Sequence, residues 1–303
     1  MIIGQNKPRH IQMLCSVLGY SRQAFYQYMK EAEKQAFGDE LVIQKVLAIR
    51  KRQKKLGTRK LLLLLEPFMQ EQGIKMGRDA LFDLLGEHGL LIRKRRRKVP
   101  KTTNSQHWYK KYPNLIKGMI VTAPNQIWVS DITYITLDDG FAYLSLITDV
   151  YSHKVVGYHL GEDLCASGCV KALDMALEDL PESHTLIHHS DRGIQYCSTE
   201  YVEILQNRKI SISMTQTSDP RDNAIAERLN GILKDELFDE TYPTLRKAIR
   251  HIATSIKVYN NERPHGSVDM LMPAVAHTKT GTLKKRWKTY YKKAKKKEVP
   301  MQT

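Results

Sequence analysis

The run Gln126-Ile127-Trp128-Val129-Ser130-Asp131-Ile132-Thr133-Tyr134-Ile135 decides how the middle of this chain folds. Branched and aromatic residues dominate it, which predicts a buried strand over about residues 126–136. An ionised carboxylate inside such a strand requires a partner, because removing an isolated charge from water costs a large free energy. Asp131 is therefore a candidate site residue whose partners must come from elsewhere in the chain.

Asp191 ends a second apolar run, residues 186–190, and the pair Arg192-Gly193 follows it. Because this pair predicts a turn, we expect the Asp191 side chain at the carboxyl end of a strand. Open α/β sheets bind their ligands at that edge. An isolated aspartate at a strand end more often caps a turn, so Asp191 alone does not define a site.

Glu227 lies on a helix predicted over residues 223–238, after the breaker-rich loop 218–223. At about 100° per residue, one face of this helix is apolar, and Glu227 lies on the opposite face. The polar residues that share its face are Asn223, which is the expected N-cap, Asn230 and Lys234.

Asp131, Asp191 and Glu227 would together supply the oxygen ligands of a site for two hard cations. Two such ions about 4 Å apart stabilise the attacking and leaving oxygens of an in-line phosphoryl transfer. Lys234, two turns beyond Glu227, is predicted to contact the phosphate beside the scissile bond. Spacing alone does not establish this triad, because any three of 32 acidic residues can be assigned spacings.

Four short motifs follow one another over about 140 residues, and together they resemble the signatures of retroviral-integrase-like transposases, which use an Asp-Asp-Glu (DDE) triad. They are Trp128–Tyr134 (WVSDITY), His189–Tyr196 (HSDRGIQY), Asp222–Arg228 (DNAIAER) and Tyr259–His265 (YNNERPH). Within that superfamily the chain is most similar to the second-frame (OrfB) product of bacterial insertion sequences of the IS-three (IS3) family. The resemblance covers roughly residues 10 to 275.

The resemblance implies an α/β fold with an RNase H-like catalytic core, in which a mixed five-stranded sheet is flanked by helices. It implies that Asp131, Asp191 and Glu227 are catalytic and bind Mg²⁺. It further implies cleavage at element ends, strand transfer through branched and circular intermediates, and integration into target DNA without ATP. One departure is Arg228-Leu229-Asn230-Gly231, where many relatives have an aromatic pair after a serine or threonine. We expect this departure to alter DNA contacts rather than chemistry.

The family also implies partners. Joining two element ends requires at least a dimer of this chain, bound to double-stranded DNA at the terminal inverted repeats and at the target. Family members are often made as a frameshift fusion with an upstream DNA-binding (OrfA) product, so this chain could be the second half of such a fusion.

Net charge changes sign twice along the 303-residue chain: it is +15 over residues 1–111, −8 over 112–276 and +9 over 277–303. This layout fits an acidic core that carries bound cations and basic flanks that bind a polyanion, although lysine-rich flanks can also be merely solubilising. The predicted DNA contacts are Arg93, Lys94, Arg95, Arg96, Arg97 and Lys98 in a dense basic run, Arg228, Asn230 and Lys234 on the helix, and Arg263 and His265 in the last motif.

We expect five segments: two all-α modules at 1–56 and 57–98, a linker at 99–119, the catalytic core at 120–276 and a basic tail at 277–303. Glycine-punctuated helices, with Ser21 and Thr58 as expected N-caps, suit helix-turn-helix modules that bind DNA, and a simple helical bundle fits equally. In the core, apolar runs predict strands at about 126–136, 141–150, 153–160, 184–190 and 210–214. Helices are predicted at 166–179, 198–208, 223–238 and 244–262.

Several classes of protein are disfavoured. No apolar stretch approaches the roughly 20 residues of a membrane span, and the first residues lack the pattern of a secretory signal. The four cysteines show no disulfide framework, so a reducing cytoplasm is the expected location. The family resemblance implies that this is a bacterial cytoplasm and that the protein associates with the nucleoid. Cys165 and Cys169 lack the spacing of a zinc module and are interpreted as core cysteines, and His188-His189 as strand residues beside the metal site.

The function predicted from these observations is that of a DNA transposase, which uses first water and then a DNA 3′-hydroxyl as nucleophile. Because fold does not fix function, two alternatives stay open: an RNase H-like nuclease without strand transfer, and a non-catalytic DNA-binding regulator of the element. Cleavage without joining would favour the nuclease. DNA binding without any cleavage in Mg²⁺ would favour the regulator.

Overall fold

The computed structural model of the protein describes residues 8–92, 108–216 and 223–286. The chain forms two compact units, residues 1–96 and 97–303. The basic run 93–98, the first part of the predicted linker and the tail beyond residue 286 lie outside the described residues. In the described ranges, no helix is long and apolar enough to cross a membrane.

The first unit is all-helical in its described part, as predicted. Its helices are α1 (Pro8–Leu18), α2 (Arg22–Arg52), α3 (Thr58–Glu71) and α4 (Arg78–Glu87). Ser21 caps α2 as predicted, because its hydroxyl accepts a hydrogen bond from the Ala24 backbone N–H at 3.0 Å. The expected cap at Thr58 is wrong by one residue: Gly57 is the N-cap of α3, and no side chain bonds the first turn.

The second half of α2 shares one apolar core with α3 and α4. Its buried residues include Val42 and Val46 of α2, Leu61 and Leu65 of α3, and Leu81 and Leu85 of α4. The boundary predicted at residues 56/57 separates helices that share this core, and the division of the chain into modules stays a prediction.

The second unit contains a mixed five-stranded sheet, which confirms the predicted fold class. Its strands are β1 (Ile127–Leu137), β2 (Gly140–Asp149), β3 (Val155–Gly161), β4 (Ile187–Ser190) and β5 (Ser211–Met214). Their order is β3-β2-β1-β4-β5. β1, β2 and β3 pair antiparallel, whereas β4 pairs parallel with both β1 and β5. β4 is shorter than predicted, because its pairing with β1 begins only at Ile187.

Helices cover both faces of this sheet, and their order along the chain follows the sequence prediction. α5 (Ala166–Glu178) and α6 (Thr199–Asn207) form one apolar cluster with Trp128 and Ile147. α7 (Ala224–Ile232), a π-helical turn (Leu233–Leu237) and α8 (Leu245–Glu262) form a second cluster with Ile135 and Leu144, and a short α9 (Pro273–Ala276) follows. The odd-numbered residues of β1, Asp131 among them, therefore face α7.

Gly157 of β3 allows α5 to approach the sheet closely. A Cβ at this position would overlap the backbone carbonyl oxygen of Ala172 and lie 2.8 Å from the Ala176 Cβ. A side chain of any size thus requires α5 to move away from β3.

We predict that Gly157→Ala lowers the free energy of unfolding by about 1–3 kcal/mol, because an added methyl group overpacks the β3–α5 contact. Urea denaturation of the full chain measures this. Gly231→Ala is the matched control: a Cβ there meets nothing within 4 Å, and Ala is the better helix former, so no destabilisation is expected. Equal effects of the two changes would contradict the packing argument.

Candidate active site

Asp131 lies half-buried in β1 with both carboxylate oxygens engaged. Its Oδ1 accepts a hydrogen bond from the Ile132 backbone N–H at 3.0 Å, and its Oδ2 accepts one from the Asn230 side-chain amide at 2.6 Å. Asn230 is buried on α7, on the same helix as Glu227 and one turn after it. The contact therefore ties the helix that carries Glu227 directly to the strand that carries Asp131.

Asp191 follows the last residue of β4, as predicted, and lines one pocket with Asp131. Its Oδ1 accepts a hydrogen bond from the Gly193 backbone N–H at 2.9 Å. A Cβ on Gly193 would lie 2.9 Å from that same oxygen, so only glycine permits this tight turn without displacing the carboxylate. Gln195 and Tyr196 complete this side of the pocket.

The negative charges of Asp191 and Glu227 act on the pKa of Asp131. Burial, followed by the charge of Asp191 and to a smaller extent that of Glu227, raises the pKa of Asp131 to about 7, although its two hydrogen bonds act in the opposite direction. Glu227 is exposed on α7 and is not among the residues that line the pocket. In the described part of the chain, no three His, Cys, Asp or Glu side chains are close enough to form one metal-binding group.

The polar face predicted for the helix after residue 223 contacts the sheet over part of its length. Asn223 occupies the predicted N-cap position, but its side chain makes no cap hydrogen bond and instead donates to the Ser130 carbonyl oxygen at 2.9 Å. The predicted helix 223–238 also changes geometry, because the α-helix ends at Ile232 and the π-helical turn follows. Lys234, half-buried in that turn, therefore does not continue the α-helical spacing from Glu227.

Arg263 and His265, two predicted DNA contacts, lie inside the protein. Arg263 is 2% exposed, and its guanidinium binds the Glu236 carboxylate in a bidentate pair, with both nitrogen–oxygen distances at 2.8 Å. The guanidinium also lies over the Tyr259 ring. His265 is buried and stacks on His153 with ring centroids 4.5 Å apart. Direct contact between Arg263 and DNA would require the pair with Glu236 to open.

A buried polar network supports the strands beside the two aspartates. The His188 Nε2 lies 2.6 Å from the Ser130 hydroxyl and 2.9 Å from the Tyr201 hydroxyl. Burial lowers the pKa of His188 to about 3, so its imidazole is neutral. The His189 Nδ1 lies 2.8 Å from the Ser213 hydroxyl. Both histidines are strand residues, as predicted, and they link β4 to its neighbours.

The remaining predicted residues fall in several places. Arg228 is exposed on α7, and the run Arg93–Lys98 lies outside the described residues. Cys169 is a buried core residue as predicted, whereas that interpretation is wrong for Cys165, which is exposed at the N-cap of α5. Sequence reasoning missed Asn230 as a partner of Asp131 and Glu236 as a partner of Arg263, because contacts between residues so distant in sequence leave no local pattern.

Comparisons with known proteins identify relatives of this chain. Residues 121–220 and 208–273 match two family models that are both described as an integrase core domain. An insertion element IS600 uncharacterised 31 kDa protein of Shigella sonnei is 36% identical over 272 residues, which cover 88% of this chain and 98% of the relative. The IS629 transposase of the same species is 31% identical over 63% of this chain and 64% of its own length.

A more distant relative and a solved structure cover different shares of the chain. The transposase InsF for insertion sequence IS3A of Escherichia coli K12 is 27% identical over 87% of this chain and 92% of its own length. The HTLV-2 integrase catalytic core domain, solved in complex with magnesium, aligns with a TM-score of 0.42 and 20% identity over 52% of this chain and 99% of that structure.

We predict that, without divalent cations, Asp131→Asn unfolds several degrees higher than the wild type above pH 7. The folded-state pKa of Asp131 is raised from 3.8 to about 7, so ionisation of Asp131 destabilises the wild type increasingly between these two pH values, and the effect is constant above them. The difference should therefore shrink as pH falls from 7 and vanish below 3.8. Thermal melts in a chelator across this range measure it, with the exposed Asp174→Asn as control. A difference that does not change with pH would contradict the repulsion.

We predict that Arg263→Ala lowers the free energy of unfolding by about 3 kcal/mol, because it removes one partner of a buried ion pair. Denaturant titration tests this, with the exposed Arg228→Ala as the matched control, for which we expect little change. If Arg263→Ala instead left stability intact and weakened only DNA binding, the structural role of this pair would be refuted.

Proposed function

The chain belongs to the IS3 family of insertion-sequence DDE transposases and is a DNA transposase, and we propose that Asp131, Asp191 and Glu227 are its catalytic, cation-binding acids. Asp131 and Asp191 line one pocket at the carboxyl end of β4. Glu227, exposed on the helix that Asn230 attaches to Asp131, would complete the group by turning its side chain towards the two aspartates.

The observation that carries this assignment is that Asp131 and Asp191 line one pocket, in which burial, then the charge of Asp191 and to a smaller extent that of Glu227 oppose the ionisation of Asp131. The charge of a divalent cation would neutralise the same carboxylates that oppose the ionisation of Asp131. Carboxylate oxygens are the ligands that Mg²⁺ and Mn²⁺ prefer, so the donor set fits these cations. Cation binding and proton binding at Asp131 would then compete.

Bound Mg²⁺, or Mn²⁺ in its place, would supply Lewis-acid stabilisation of the attacking and leaving oxygens in two successive phosphoryl transfers. In the first, water attacks the phosphate at the element end, and the bond to the 3′-oxygen breaks to give a free 3′-hydroxyl. In the second, that hydroxyl attacks a phosphodiester, so that one phosphodiester bond forms as another breaks. Because the number of such bonds is conserved in this second step, no ATP is needed.

The protein's own residues would orient the reacting groups. Asn230 fixes the Oδ2 of Asp131 through its 2.6 Å hydrogen bond, which makes it a positioning residue. The Gly193 N–H fixes the Oδ1 of Asp191 in the same way. Lys234 and the exposed Arg228 would contact phosphates beside the scissile bond, and the Arg263–Glu236 pair would hold the π-helical turn that carries Lys234.

The substrates would be double-stranded DNA at the terminal inverted repeats and at the target. Pairing two ends calls for at least a dimer of this chain, and an upstream OrfA product or a frameshift fusion could supply further DNA binding. The basic run 93–98 and the first unit, with the net charge of +15 over residues 1–111, would bind the ends. The free cysteines suit a reducing cytoplasm, and the proposed DNA substrates would place the protein at the nucleoid.

The proposal predicts that Asp131→Asn, Asp191→Asn and Glu227→Gln each lower end cleavage and joining by about a hundredfold or more. Each change preserves shape and removes one charge that binds the cation. Single-turnover assays on DNA that carries the element's end measure both steps, and the exposed Asp174→Asn is the matched control. DNA affinity in a chelator should stay near that of the wild type.

Near-normal strand transfer by any one of the three variants in Mg²⁺ would remove that residue from the site. Cleavage without joining by the wild type would indicate a nuclease. DNA binding without cleavage in Mg²⁺ or Mn²⁺ would indicate a regulator.

A further inference from the structure

Residues 108–117 (WYKKYPNLIK), which we call the basic–aromatic segment, differ in composition from the acidic core that follows. They contain three lysines and three aromatic residues and no acid, whereas residues 112–276 carry a net charge of −8. All three lysines are exposed. This stretch lies within the predicted linker 99–119, but a simple linker does not require this composition.

The segment is attached to the sheet at its β5 edge. The Pro113 carbonyl oxygen accepts a hydrogen bond from the Met214 backbone N–H at 3.2 Å, and the Leu115 N–H donates to the Ser213 hydroxyl at 2.9 Å. Met214 is the last residue of β5, and β5 runs parallel to β4, which ends just before Asp191. From Leu115 back to Pro113, the segment follows β5 towards the carboxyl end of that strand. Residues 108–112 therefore continue towards the end of the sheet at which Asp191 emerges.

The charges place this part of the segment beside the Asp191 loop. The charges of Lys111 and Arg192 both lower the pKa of the Cys197 thiol, whereas burial and the charge of Asp191 raise it more strongly, to about 11. All three charged groups therefore lie within electrostatic reach of one sulfur atom. Lys111 therefore lies near the loop that carries Asp191 and Arg192, and Lys110 precedes it in the segment.

The aromatic residues at the start of the segment are held by contacts with the core and with one another. Tyr109 and Tyr112 pack against the apolar core, and Lys110 lies over the Tyr112 ring. Trp108 stacks on Tyr109, with ring centroids 4.3 Å apart and planes inclined by 22°. Trp108 is nonetheless 86% exposed, so this anchored pair presents an indole to solvent.

Exposed aromatic rings beside lysines are the combination that binds single-stranded nucleic acid, because bases stack on the rings while phosphates pair with the cations. We propose that the basic–aromatic segment binds the DNA strand that leaves the carboxylate pocket, with Lys110 and Lys111 on its phosphates and Trp108 stacked on an unpaired base. Only an unpaired or terminal base offers its face to an indole, so the ligand is DNA with a frayed or single-stranded end. The position of this strand rests on the proposed function of the pocket.

The test is equilibrium binding of the full chain, measured by fluorescence anisotropy in a chelator with Asp131→Asn as the common background, so that no cleavage intervenes. The probes are a duplex with a single-stranded overhang and the same duplex with blunt ends. Trp108→Ala should weaken binding of the overhang probe about tenfold and leave the blunt probe nearly unchanged. Since Trp108 is so exposed, melting temperatures should match that of the background protein.

Two further substitutions separate stacking from other contacts. Trp108→Phe should restore most of the affinity, and Trp108→Leu should not, because leucine keeps apolar area without an aromatic face. Lys111→Ala should lower the slope of log affinity against log salt concentration by about 1, whereas the exposed Lys171→Ala on α5 should not change it.

Full affinity with Trp108→Leu would overturn the proposal, because an apolar docking site for protein would tolerate that change. Equal losses on both probes, or no loss with Trp108→Ala, would also overturn it. These outcomes do not depend on the pocket's chemistry. If Trp108→Ala has no effect on binding while the triad variants are inactive, only this inference fails. If Trp108→Ala weakens binding of the overhang probe while the triad variants keep their activity, only the assignment of the acids fails.

Discussion

In the second unit, the fold holds the Asp131 carboxylate where its ionised form is unfavourable. Asp131 lies in the strand that pairs with both β2 and β4, and its pKa is raised to about 7 by burial and by the charges of Asp191 and Glu227. A buried charge of this kind normally destabilises a protein. Under the proposed function, a divalent cation bound by the acids would turn their repulsion into coordination.

The surrounding elements determine where these acids can lie. Parallel pairing of β1 with β4 brings Asp191 to the Asp131 pocket, and the buried contact between Ser130 and His188 links the same two strands. Asn230 attaches α7 to β1, and the Arg263–Glu236 pair attaches the end of α8 to the π-helical turn after α7. The N-cap residue Asn223 also bonds the Ser130 carbonyl oxygen, so the helix that carries Glu227 is attached before, beside and beyond Glu227, while Glu227 itself stays exposed.

Much of this fold was predictable because its signals are local. The apolar runs around Asp131 and before Asp191 predict β1 and β4, and the breaker residues before Asn223 predict the start of α7. The remaining features depend on residues far apart in sequence. Asn230 and Asp131 are 99 residues apart, so helical spacing could place Asn230 on the polar face but could not show that this face contacts β1. Likewise, the motif that contains Arg263 does not reveal that its guanidinium is buried against Glu236, and α-helical spacing could not anticipate the π-helical turn.

Calorimetric titration of Mn²⁺ into the metal-free full chain at about pH 7, in two buffers of different ionisation enthalpy, tests most directly whether the three acids form a cation site. A carboxyl group with a pKa raised to about 7 is partly protonated at this pH, so binding should release protons from the wild type, and this release should fall as the pH is raised. Asp131→Asn should bind Mn²⁺ weakly and release no proton. Equal Mn²⁺ affinity of the wild type and Asp131→Asn, or binding at pH 7 without proton release, would contradict the account.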